Sequence, residues 1–142
     1  MVAFNKVDTL TLELGTEGHQ LATDVLKVAL SNTAPTSAST IWSVGSFPAP
    51  AAANNYTSGG NTITTTSFTQ TAGVAKLVLA DTTFTATAGG IGPFQYAILY
   101  NTSTSAANKI IGWYNYGSAV TLADTETFTV DFDPSTGALT IT

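Results

Sequence analysis

The sequence predicts an all-β fold, an antiparallel β-sandwich or jelly-roll-like domain of eight or nine short strands. Three observations predict it. Short runs rich in β-branched and aromatic residues alternate with polar ones at period two, as in Phe128, Val130 and Phe132 against Thr127, Thr129 and Asp131. Such runs recur about every ten residues, with Gly, Pro, Asn and Asp between them. Threonine, whose branched side chain suits a pleated, half-wet surface, occurs 27 times. A chain of 142 residues fits one domain, taken as 1–142. A domain of that size buries roughly 68–70% of the surface its unfolded form exposes, which supports a core without staples.

The elements follow in order. Leu10, Leu12 and Leu14 alternate like a strand until Gly15 and Gly18 break the run. An N-terminal arm or short helix within 1–22 is the second reading. TDVLKVALSN (23–32) is a strand, with Leu26, Val28 and Leu30 on one face. TAPTSAST is a loop, and TIWSVGSF (40–47) is expected as a short strand. The Pro/Ala segment through YTSGGN (48–61) has no usable periodicity and is expected as a long surface loop. Strands are expected at 61–71, 74–80, 82–88, 94–102, 109–117, 125–133 and 138–142, with GGIGP (89–93) as a turn. DPSTG is expected to close a hairpin between the last two strands.

Charge is sparse and acidic. Four Lys and no Arg face nine Asp and Glu, a net of −5. The four Lys are scattered along the chain, so no nucleic acid partner is expected, because phosphate contacts need clustered cations. No apolar run is long enough to span a bilayer, and no membrane partner is expected. Nor is a leader peptide visible behind Met1, so a complete chain is the expectation. Cysteine is absent, which excludes disulfides and thiolate metal sites. With so little charge, solubility rests on Thr, Ser, Asn and Gln. A surface of that kind is easily desolvated and suits large permanent contacts with other chains.

Catalytic patterns are missing. His19 is the sole histidine and is expected to be solvent-exposed or hydrogen-bonded. No GxSxG elbow occurs, and GGIG lacks the lysine of a phosphate loop. DFDPSTG begins like a calcium loop, but its Gly137 falls one place late and Thr142 stands where the bidentate acid belongs. A plain turn is the better reading. Sequons at Asn55 and Asn101 match what chance supplies in a chain this rich in Asn and Thr. No enzyme activity, metal or cofactor is expected.

Three segments carry a family likeness. TDVLKVALSNTAP (23–35), YTSGGNTITT (56–65) and the stretch 91–133, from IGPFQYAILYN through IIGWYNYG to TETFTVDFD, resemble small virion structural proteins of tailed bacteriophages. Among these the likeness is to capsid decoration (cement) proteins. The resemblance implies a β-rich protein on the outer surface of the capsid, assembled in the bacterial host cytoplasm. It implies the major capsid protein as partner and a homotrimer or other homo-oligomer. A tail fibre or baseplate module that binds host-surface glycans is the alternative, through exposed Tyr and Trp stacked on sugars.

Five aromatic residues are the expected interface contacts. Trp42, Phe47 and Tyr56 flank the Pro/Ala segment, and large aromatics often anchor interfaces. Core packing is the competing reading for Trp42. Phe128, Val130 and Phe132 are expected inside the sheet. Ile111 and Trp113 share one face of their strand and Tyr114 and Tyr116 the other, which leaves the Tyr114/Tyr116 pair, or Trp113 if the faces are reversed, as the outward contact.

Overall fold

A computed structural model describes residues 2–16, 18–103 and 108–142. The fold is nearly all β, antiparallel and β-sandwich-like, with one short helix. The elements are β1 (Phe4–Lys6), α1 (Leu10–Gly15), β2 (Leu26–Ser31), β3 (Asn61–Ile63), β4 (Thr65–Thr71) and β5 (Val74–Leu79), followed by β6 (Thr82–Thr85), β7 (Ile91–Asn101), β8 (Lys109–Leu122), β9 (Thr127–Val130) and β10 (Leu139–Ile141). A five-stranded sheet runs β1-β8-β7-β2-β3. Two smaller sheets, β10-β5-β4 and β6-β9, complete the layers. The pairs β5·β10, β6·β9 and β7·β8 are nested one inside the next, as in a long hairpin wrapped over itself.

The core fills the space between the large sheet and the small ones. Leu77 and Leu79 of β5, Phe84 of β6, and Ala97 and Leu99 of β7 are all buried in it, while Ile98 and Tyr100 are buried on the other face of β7, where Trp42 covers Tyr100. Phe94 of β7 meets Phe128 of β9 edge-on at 4.9 Å, and Tyr114 of β8 meets Phe132 at 5.9 Å. Fully burying one such side chain contributes about 1.5–3 kcal/mol. Both faces of β2 and β7 are covered at their centres: Val28, Ala29 and Leu30 are all buried, as are Ala97, Ile98 and Leu99. Asp81 ties the two small sheets together, its carboxylate accepting from the Phe132 N–H at 2.8 Å.

Three local expectations are corrected. Residues 10–15 form a helix rather than a strand, because Leu10 and Leu14 lie one turn apart and face inward while Leu12 is 67% exposed. Residues 40–47 are no strand. Ile41 makes a single bridge to Lys109, and the chain then turns, with the Phe47 N–H donating to Ser43 O at 2.8 Å. DPSTG joins strands of different sheets instead of closing a hairpin, since β9 pairs with β6 and β10 with β5.

Two glycines are required by close approach. At Gly60 the backbone has φ +73, and a Cβ would sit 1.8 Å from the Val28 carbonyl oxygen. At Gly112 a Cβ would meet Asn5 O at 2.3 Å, so only glycine lets β1 lie against β8.

The open side of the sandwich sets up the site. Along it, β1 edges the large sheet, and β9 and β10 edge the small ones. Helix α1 closes the β10 half: Leu10, Thr11 and Leu14 face Leu139–Thr142 across a crevice of about 120 Å³. The β9 half stays open.

Candidate functional site

The open half is a cleft of about 370 Å³. Its base and one wall come from the large sheet, through Gln95, Ala97, Tyr114 and Tyr116. Strand alternation explains the set, because Gln95 and Ala97 lie two apart on β7, as Tyr114 and Tyr116 do on β8. Ala97 stands directly opposite Tyr114 in the ladder, and its small side chain leaves room above it. The other wall is β9 from Phe128 through Val130, with Asp131 just past its end, and Val2 closes one end. That volume lies at the lower end of the range for ligand sites, which run from about 300 to 1,000 Å³.

The rings form walls instead of a flat stack. Tyr116 and Phe128 meet at 5.6 Å and 76°. Tyr116 is 53% exposed, so its ring is offered to solvent. Tyr114 is half-buried and rests on Phe4 at 5.1 Å. Burial pushes its hydroxyl up to about 12, helped by the nearby charge of Asp131. It therefore stays protonated, a neutral donor beside a carboxylate. Gln95 is turned to Asn115, its Nε2 donating to Oδ1 at 3.0 Å.

Of the five expected contacts, Tyr114 and Tyr116 lie together in this cleft. The other three are placed elsewhere, which corrects their assignment to the surface. Trp42, Phe47 and Tyr56 are buried, Trp42 to 6% exposure. Trp42 stacks on Tyr100 at 4.6 Å and 17°. The Tyr56 hydroxyl accepts from the Leu30 N–H at 3.1 Å, and burial raises its pKa. Ser31 Oγ donates to Pro48 O at 3.0 Å, and Asn54 Nδ2 to Gly90 O at 2.8 Å. These bonds fold the 48–61 segment back over the strands and bury the aromatics that flank it. The sequence reading also missed Phe128 and Asp131 as site residues. Phe128 looked like interior because its period is clean, yet β9 lies at an edge and leaves the ring half-buried.

A second polar cluster anchors α1. His19 is buried at 4% exposure. Its Nδ1 accepts from Asn101 Nδ2 at 3.0 Å, and the same amide nitrogen donates to Asp24. The Asn101 oxygen accepts from the Ser103 N–H at 2.8 Å, which fixes the amide's orientation. The proton of a neutral His19 therefore sits on Nε2, which lies 2.8 Å from Glu13 Oε2. Glu13 also faces Lys109 at 3.4 Å. Burial lowers the His19 pKa despite the attraction of Glu13. The cluster joins α1 to β7 and β8, and it is closed off by packing.

In the DPSTG turn, Asp133 accepts from the Ser135 N–H at 2.7 Å, Ser135 Oγ at 2.6 Å and Thr136 Oγ1 at 2.9 Å. These bonds, Ser135 foremost, bring its carboxyl down to about 2. The carboxylate is spent on its own turn. Among the described residues, no group of three His, Asp or Glu could hold a metal ion, and no helix is long and apolar enough to cross a membrane. No protein-family model, curated protein or solved structure matches this chain.

Proposed function

We propose that this chain is a non-enzymatic structural protein of a tailed-phage virion, a capsid decoration (cement) protein that binds the outer surface of the head and stabilises it. The observation that carries this reading is the character of the surface. On the small sheets Thr66, Thr69, Thr71, Thr83, Thr85, Thr127 and Thr129 are all exposed, and Lys76, half-buried opposite Thr69, is the one charged residue in those strands. Such a surface loses little on desolvation and fits a permanent contact. The resemblance of 23–35, 56–65 and 91–133 to virion proteins supports the same reading. The major capsid protein is the partner, and a homotrimer or another closed oligomer is the working form. On a symmetric shell, many modest contacts act together.

The test is depletion of the protein from virions, followed by heat or low salt. Depleted particles should lose their DNA at lower temperature; unchanged stability refutes the reading. A second reading, a tail-borne glycan binder, draws on the Tyr114, Tyr116 and Phe128 cleft. Copy number separates the two, since hundreds per particle indicate the head and a handful the tail.

A further inference from the structure

We propose that the free edge of β9, with the cleft beside it, is a strand-addition site for an extended polypeptide segment of a partner protein, with a lysine or arginine of that segment set against Asp131. The inference stands on backbone geometry and is independent of the virion reading. Within that reading the segment belongs to a neighbouring subunit.

The first argument is the incomplete sheet. Among the described residues β9 pairs with β6 alone, in a sheet of two strands. Two-stranded ribbons are marginal, and a third strand consolidates them. The second is the direction of the backbone groups. Ala86 N–H donates to Glu126 O at 2.9 Å, in register with the β6·β9 ladder. Hydrogen-bonded pairs alternate in an antiparallel ladder, so Phe84 with Phe128 and Thr82 with Val130 exchange bonds. Thr127 and Thr129 then turn their N–H and C=O groups away from β6. The hydroxyls of Thr83 and Thr129 meet at 2.8 Å, as the closer non-bonded pairs allow.

The cleft then supplies side-chain pockets. It runs beside Thr129, Val130 and Asp131 and is lined below by Ala97, Tyr114 and Tyr116. Alternate side chains of an added strand would enter it, while the backbone bonds give affinity. Edge strands usually carry lysine, proline or a bulge against such pairing. β9 reads TFTV, and its ladder shows no register shift. The other half of the same open side is covered by α1, which leaves β9 as the open half.

Charge chooses the occupant. Asp131 is exposed at the rim, no lysine lines the cleft, and the chain carries −5. A cationic side chain would meet both that carboxylate and the tyrosine faces. A second copy of this chain brings the same negative charge and is disfavoured.

The probe is the acetylated, amidated peptide VTVKVTV, added at millimolar concentration to the isotope-labelled protein. Amide exchange at Thr127 and Thr129 is expected to slow about fivefold or more. The same peptide N-methylated at alternate residues should have no effect, and VTVDVTV should bind more weakly. Thr129→Pro removes an N–H that the ladder register turns away from β6; it should keep the fold and abolish the response. Equal slowing with the N-methylated peptide overturns the proposal, as does no slowing at all. So does slowing without peptide as the mass doubles, which assigns the edge to a second copy. Glycan binding at the cleft without a peptide response overturns it as well. If Thr129→Pro unfolds, the N-methylated arm still decides.

Discussion

Replacing Trp42 with alanine separates an interior residue from a surface anchor. The side chain is 6% exposed and stacked on Tyr100 at 4.6 Å. Truncating a buried Trp to Ala costs about 3–5 kcal/mol, from lost transfer energy and the cavity left behind. The stack accounts for about 0.5–1.5 kcal/mol of that. Unfolding entropy is about 2.1 cal/mol/K per residue, so this chain has about 0.3 kcal/mol/K in all. One kcal/mol therefore shifts Tm by about 3 °C, and Trp42→Ala should lower Tm by about 10–17 °C. Trp42→Phe keeps a ring on Tyr100 and removes an indole N–H that has no partner among the described residues. It should cost less than half as much. The assay is thermal unfolding followed by circular dichroism, with tryptophan emission separating Trp42 from Trp113. A surface anchor would cost within about 0.5 kcal/mol, a shift of under 2 °C. A Trp42→Ala protein that melts within 2 °C of the parent refutes the core assignment.

Other outcomes follow from the same structure. Tyr116→Ala removes a ring that is 53% exposed, so Tm should fall by no more than about 3 °C, checked by the same melt. Gly60→Ala places a Cβ 1.8 Å from a backbone oxygen at φ +73 and should leave little folded protein on expression. His19 has a pKa lowered from its ordinary 6.5, so the unfolded chain binds its proton first as pH falls. Its contribution is therefore complete above 6.5 and is lost as pH drops through the lower folded value. Urea unfolding at pH 7.5 and 5.5 should show a loss on acidification that shrinks in His19→Gln. An equal loss in both proteins would point to other groups.

The strands were legible because period two is a local signal. β2, β5 and β9 lie where alternation placed them, and the Tyr114/Tyr116 pair followed from the same rule; β7 instead begins at Ile91, inside the expected GGIGP turn, and β8 runs on to Leu122. Short segments defeated it. Leucines at 10, 12 and 14 satisfy a strand by alternation and a helix by the spacing of Leu10 and Leu14. Six residues are too few to tell the two apart. Trp42, Phe47 and Tyr56 were misplaced because their partners are distant in sequence. Tyr56 bonds Leu30, and Trp42 stacks on Tyr100. A loop rich in Pro and Ala reads as exposed until something pins it, and here Ser31 does so from β2.

The candidate site was harder to read for a different reason. A catalytic centre or metal site leaves residue types in a pattern, because its chemistry needs particular atoms. Pairing along β9 would use backbone N–H and C=O groups, which every residue but proline carries. What marks such a place is the lack of a neighbouring strand, a property of topology. TFTV of β9 and TTFT of β6 are nearly the same sequence. Of the two, β9 alone lines the cleft, opposite Ala97 and Tyr114 of the large sheet. Placement in the fold therefore decides which backbone is free, and no motif within β9 could have announced it.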